Sequence, residues 1–140
     1  MVRLFFWSEQ RGSSAVEFAL LAPVYMVMLT GMLAYGFYFG AANSLQQLAA
    51  DAARVSISGL HAEERDRLVG AYLDLHAGDY MLLQRQHLTY TIGEDPADPT
   101  QYRVVLRYDA IELPIWNLNT PLPLPKRMMA YGATIRQGGL

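Results

Sequence analysis

Glu17 stands at the mouth of a stretch, Phe18 to Ala50, in which 33 successive residues carry no Asp, Glu, Lys or Arg. An ionised carboxylate held at the centre of a bilayer costs about 2.5–3.5 kcal/mol even on translocon-insertion scales. An acid at the edge of such a run therefore either reaches headgroup water or has a task at the membrane face. The other residues equipped for chemistry are His61, His76 and His87, with the acids Asp95 and Asp98. The histidines lack metal-ligand spacing, there is no HExxH, and the two acids sit in GEDPADPTQ, where carboxylates initiate turns far more often than they hold a cation. No glycine-rich loop suits a phosphate. With 0 cysteines there is no disulfide, thiolate metal site, cysteine nucleophile or lipoprotein anchor. The expectation is a chain with no catalytic residue, no cofactor site and no metal site.

The elements that must carry Glu17 follow from hydropathy. Of the 140 residues, 52% are hydrophobic and 17% charged, and the imbalance is local, because the charges cluster after Asp51. The net charge of -2, with Lys and Arg scattered rather than striped, gives no track for a phosphate backbone, so no nucleic acid is expected. Phe18 to Ala42 supplies 25 apolar or small residues, about 37 Å of helix, enough to cross a hydrocarbon core of about 30 Å with some tilt. A buried helix of a soluble protein is the rival reading, but the rest of the chain is too small to wrap a segment that is apolar on every side. Arg3 and Arg11 precede the span and only Arg54 follows closely, which favours a cytoplasmic N-terminus. Gly40-Ala41-Ala42 mimics a signal-peptidase site, yet the apolar core before it is longer, and starts later, than a secretory signal requires. Beyond Asn43, residues Leu45, Leu48, Ala49, Ala52 and Val55 recur at helical spacing until Ser58-Gly59, which predicts one continuous helix of about 67 Å from Ser14 to Ser58.

Gly12, Ser13, Ser14, Ala15, Val16, Glu17 and Phe18 resemble the processing site of type IV pilin-like proteins. In that family a prepilin peptidase cuts after a glycine, leaving glutamate fifth and commonly an aromatic sixth in the mature chain. The resemblance implies a cut between Gly12 and Ser13, with Glu17 fifth, Phe18 sixth, and "MVRLFFWSEQRG" as a short basic leader. The continuation "AVEFALLAPVYMVMLTGMLAYGFYF" and the later "LQQLAADAARVS" make residues 11 to 58 similar to the TadE-like pseudopilins of tight-adherence (Tad, Flp-type) pilus systems. The partners this implies are a prepilin peptidase, the major pilin and other pseudopilins, the pilus assembly platform and the lipid bilayer. The location it implies is the bacterial inner membrane, single-pass, with the C-terminal domain periplasmic.

The residues carry a logic of their own. Glycine at a scissile bond leaves the backbone unobstructed for a membrane protease. The cut frees an amine at Ser13, one helical turn from Glu17, where the two charges can offset each other within a chain or between neighbours. The alternative is a headgroup carboxylate beside an ordinary loop glycine. Gly36 and Gly40 form a GxxxG pair, which lets helices approach closely in lipid but is also common by chance in apolar segments. Pro23 either kinks the span or is tolerated, as transmembrane helices tolerate proline.

After the long helix, Ala62 to Leu75 reads as a second helix with Leu68, Tyr72 and Leu75 on its apolar face and Gly78 ending it. Glu63, Glu64, Arg65, Asp66 and Arg67 read as its solvated face. Three segments alternate with period two: Leu88, Tyr90, Ile92; Tyr102, Val104, Leu106, Tyr108; and Met129, Tyr131, Ala133, Ile135. GEDPADPTQ is a turn between the first two, and a proline-punctuated connection precedes the third. Trp116, Tyr108 and Leu124 are candidates for a partner patch, against the ordinary alternative that aromatics flanking a strand are core. The expected fold is α+β: a leader over residues 1–12, a long transmembrane and extended helix over 13–58, and a small soluble module over 59–140 with a second helix and a three-stranded antiparallel sheet. The expected function is a minor pilin or pseudopilin. The alternative is an uncut single-span envelope protein whose outer domain binds another protein.

Overall fold

The computed structural model describes residues 10–118 and 123–136. Most of the expected leader lies outside them. The elements are α1 (Gln10–Ser56), α2 (Ala62–His76), β1 (Leu88–Asp95), β2 (Asp98–Asp109) and β3 (Met128–Arg136), with short 3-10 turns at Ala77–Asp79, Arg85–His87 and Pro114–Trp116. The fold is α+β, and the sheet is an antiparallel meander in the order β1-β2-β3.

α1 is one helix of 47 residues, about 70 Å long at 1.5 Å per residue. It closes with tightened i→i+3 bonds, Ile57 N–H to Arg54 O, Ser58 N–H to Val55 O and Gly59 N–H to Ser56 O, each 3.2 Å, which satisfy carbonyls that an α-helix end leaves bare. Arg54 in the last turn complements the negative end of the dipole.

The exposure of α1 changes along its length. No residue from Ser14 to Leu29 is buried. From Gly31 upward a stripe goes under, first Gly31 and Ala34, then Ala41, Ala42, Leu45, Leu48, Ala49, Ala52 and Ala53. The spacing of three and four keeps these side chains on one face. The expected span Phe18–Ala42 is thus two segments in space: a lower part free of the domain and an upper part covered by it on one side.

The core lies between this stripe, the inner face of the sheet and α2. Val104, Leu106 and Tyr108 of β2 are buried, as are Leu88 of β1 and Met129 of β3, the partners of Tyr108 in the register. Alternation along each strand follows the expected pattern. Leu45 and Leu48 are fully buried, and each such side chain contributes about 1.5–3 kcal/mol. The hairpin is tighter than GEDPADPTQ suggests, because β1 runs to Asp95 and β2 starts at Asp98. Asp95 accepts the Ala97 N–H at 2.8 Å, and Asp98 accepts the Thr100 N–H at 2.9 Å, so both acids are turn formers.

Two expectations are corrected. In α2 the inward residues are Val69 and Leu73, whereas Leu75 is 74% exposed. The stripe one position along from the expected one faces α1, since Val69, Leu73 and the half-buried Tyr72 and His76 also recur at helical spacing. Tyr108 is not a surface residue: it is buried and donates to Leu82 O at 3.1 Å. Trp116 is half-buried and its indole N–H donates to Ala110 O, which leaves Leu124 as the exposed member of that trio.

Candidate functional site

The backbone of Gly12 and Ser13 is part of α1. Glu17 follows Ser13 by one helical turn, the separation at which i and i+4 groups are neighbours. Glu17 and Phe18 are both exposed. Glu17 is the one charged residue between Ser14 and Ala50. The helix that carries them is long and apolar enough to cross a membrane. The motif therefore sits at one end of a free apolar rod whose other end enters a folded domain.

At the junction the domain holds the helix through polar contacts from tyrosine. The Tyr35 hydroxyl donates to Pro123 O, and the Tyr38 hydroxyl donates to Lys126 O at 3.0 Å. Both acceptors belong to the connection between β2 and β3. The two glycines of the GxxxG pair have different surroundings. A Cβ on Gly36 would meet nothing within 4 Å, whereas one on Gly40 would lie 3.4 Å from Leu82 Cδ1 of the same chain. Leu82 has φ 65, a left-handed conformation unusual for a branched side chain. It is held there by the Tyr108 hydroxyl on its carbonyl and faces the bare backbone at Gly40.

Higher on α1, Asp51 accepts from Tyr80 at 2.6 Å, and Tyr80 is 3.2 Å from the Tyr72 hydroxyl. Burial first, and then the Asp51 carboxylate, push the Tyr80 hydroxyl well above the usual tyrosine range. Burial raises Tyr108 as well. At the far end, Arg65 Nε donates to Gly59 O at 2.8 Å, and its guanidinium lies 4.0 Å from the centre of the Tyr102 ring, a cation–π stack.

The histidines are not brought together. His76 pairs with Asp79 at 3.0 Å and His87 with Glu112 at 3.1 Å, while His61 precedes α2 without a side-chain cap. Among the described residues no three His, Asp or Glu side chains converge on a point that could hold a metal ion. Thr100, through its side chain and then its backbone, holds the Asp98 carboxyl below the usual range, as expected of a turn acid bonded in its ionised form. What the sequence reading missed is the junction. Tyr35 and Tyr38 were visible as aromatics at i, i+3 spacing, but their acceptors lie 88 residues away.

Residues 12–54 match the family model of TadE-like proteins. This segment is similar to TadE-like proteins. The TadE-like segment starts at the glycine of the motif, takes in the free half of α1, and ends two residues before α1 does. Residues 55–140, with α2 and the sheet, lie outside it. No curated protein and no solved structure matches the chain.

Proposed function

We propose that this protein is a minor pilin or pseudopilin of a Tad-type adhesive pilus, cut by a prepilin peptidase between Gly12 and Ser13. The free half of α1 anchors it in the bacterial inner membrane with its N-terminus cytoplasmic. The domain stands in the periplasm, and the mature helix is drawn into assembly with the major pilin, other pseudopilins and the platform. The observation that carries this reading is the coincidence of the TadE-like segment with a helix whose lower half is bare of its own domain. A helix exposed on all sides and apolar throughout has to be covered by something else. Lipid serves before assembly and neighbouring helices serve after it.

The chemistry asked of the chain is small. Gly12 offers an unobstructed peptide bond. Cleavage leaves a cationic amine at Ser13, and Glu17 supplies a carboxylate at the distance of one turn. Gly36, open on its outer side, is the glycine available to a partner helix, since Gly40 already receives Leu82. Mass spectrometry of the mature N-terminus tests the reading. A start at Ser13 supports it. An intact Met1 rejects it in favour of an uncut single-span protein, and a start at Asn43 rejects the anchor too.

A further inference from the structure

The free part of α1 is too short for the membrane it has to cross. From Phe18, the first residue above Glu17, to Thr30, the last below the buried stripe, is a stretch of 18 to 30 along the helix, about 20 Å at 1.5 Å per residue. A hydrocarbon core of about 30 Å needs about 20 residues, which from Phe18 reaches Phe37. Where the bilayer keeps its full thickness rather than thinning around the helix, either Glu17 is drawn into hydrocarbon or the lowest part of the domain sinks into the outer leaflet. The lowest contacts of the domain on α1 that the structure describes through hydrogen bonds are those of the strap Pro123-Leu124-Pro125-Lys126 with Tyr35 and Tyr38. They fall at that same level.

The strap has the chemistry of a segment that meets lipid. Backbone polar groups that lose water in a bilayer must be paired or removed. Pro123 and Pro125 have no N–H, and the carbonyls of Pro123 and Lys126 accept from the two tyrosines. Leu124 is 51% exposed although it is apolar, and Lys126 is exposed beside it. A lysine whose stem lies along apolar surface while its ammonium stays in water is the usual arrangement at a membrane boundary, and tyrosines are enriched there. Directly below, Val27, Met28, Gly31, Met32 and Tyr35 line a shallow apolar groove on the helix.

We propose that the Pro123–Lys126 strap seats the domain on the bilayer, with Leu124 in the acyl boundary of the outer leaflet and Lys126 at the lipid phosphates. This rests on α1 spanning the membrane. Seating of this kind makes up the missing length and fixes the depth of the helix, so that Glu17 stays at the opposite headgroup layer.

The absence of cysteine permits a clean test in the full chain. Leu124→Cys, Ala97→Cys at the exposed hairpin tip and Val24→Cys on the free helix each receive an environment-sensitive fluorophore. Each is reconstituted in vesicles of phosphatidylcholine and phosphatidylglycerol. The expected result is that labels at Leu124 and Val24 are quenched by brominated acyl chains and shielded from aqueous iodide, and that Ala97 shows the reverse. Iodide access at Leu124 equal to that at Ala97, with Val24 still quenched from the lipid, overturns the seating and leaves the span intact. Loss of lipid quenching at Val24 overturns both. Shielding of Leu124 that appears only at high protein-to-lipid ratio assigns the patch to a neighbouring protein and also overturns the proposal.

Discussion

The Tyr80 hydroxyl donates to Asp51 Oδ2 at 2.6 Å, across 29 positions of sequence. Asp51 is the first charged residue after the apolar run, so the first charge the chain carries beyond that run is used to tie the segment after α2 back onto α1.

That bond has an alkaline signature. Burial and the adjacent carboxylate raise Tyr80 from its ordinary value of 10.0, so above about pH 10 the unfolded chain releases a proton that the native state keeps. Stability is fully present below that value and falls as pH rises beyond it. Tyr80→Phe removes a hydrogen bond to a charged partner, a loss of about 1–2 kcal/mol for a half-exposed site, and flattens the decline. Urea unfolding of the detergent-solubilised parent and variant, from pH 8 to 11, measures both. Parallel curves would show that Tyr80 has no part in the alkaline loss.

Gly59 has no room for a side chain. A Cβ there would lie 2.6 Å from Arg65 Cγ and 2.8 Å from Arg65 N, and the second of these is backbone at the start of α2. Gly59→Ala is expected to cost about 1–3 kcal/mol, the range for overpacking that shifts main chain, seen as a lowered thermal midpoint. Gly36→Ala, with nothing within 4 Å, should leave the midpoint unchanged or raise it.

Processing is tested at Gly12. A branched side chain at the scissile bond obstructs the protease, so Gly12→Val should accumulate as a precursor about 1.5 kilodaltons heavier than the mature chain, the mass of the 12-residue leader, visible by immunoblot or intact mass. Normal processing of this variant removes the proposed cut site.

Glu17→Gln separates the two tasks open to that carboxylate. If Glu17 only meets headgroup water, the variant is processed and supports pili as the parent does. If it offsets the amine freed at Ser13, cleavage largely persists while the helix enters a protein bundle with an uncompensated cation. The expected outcome is a mature, membrane-held protein that crosslinks poorly to pilin and gives few surface pili. Wild-type piliation would end the pairing hypothesis even with the cut confirmed.

Much of the fold is written locally. The alternations 88/90/92, 104/106/108 and 129/131/133 each assign a strand and its inner face, because a sheet with one buried side has no other way to place them. α2 was harder, since its sequence carries two adjacent stripes at helical spacing. Only the position of α1 selects Val69 and Leu73 over Leu68 and Leu75. The proposed motif around Gly12 and Glu17 is contiguous in sequence, so it can be put forward without knowledge of the fold. The junction was not legible, because a tyrosine on a helix says nothing about which distant carbonyl it will bind, and Pro123 and Lys126 reach Tyr35 and Tyr38 only after the sheet has formed.

The uninterrupted course of α1 from anchor to core has a mechanical consequence. Pro23 is the one proline inside it and removes a ladder bond, well below the buried stripe that starts at Gly31. Above that point the rod and the sheet share the same side chains, Leu45 and Leu48 among them, so torque or tension applied to the lower helix arrives at the domain undamped. A machine that pulls or rotates the anchor turns the whole domain with it. Within the free half, Pro23 is where one bond of the ladder is missing.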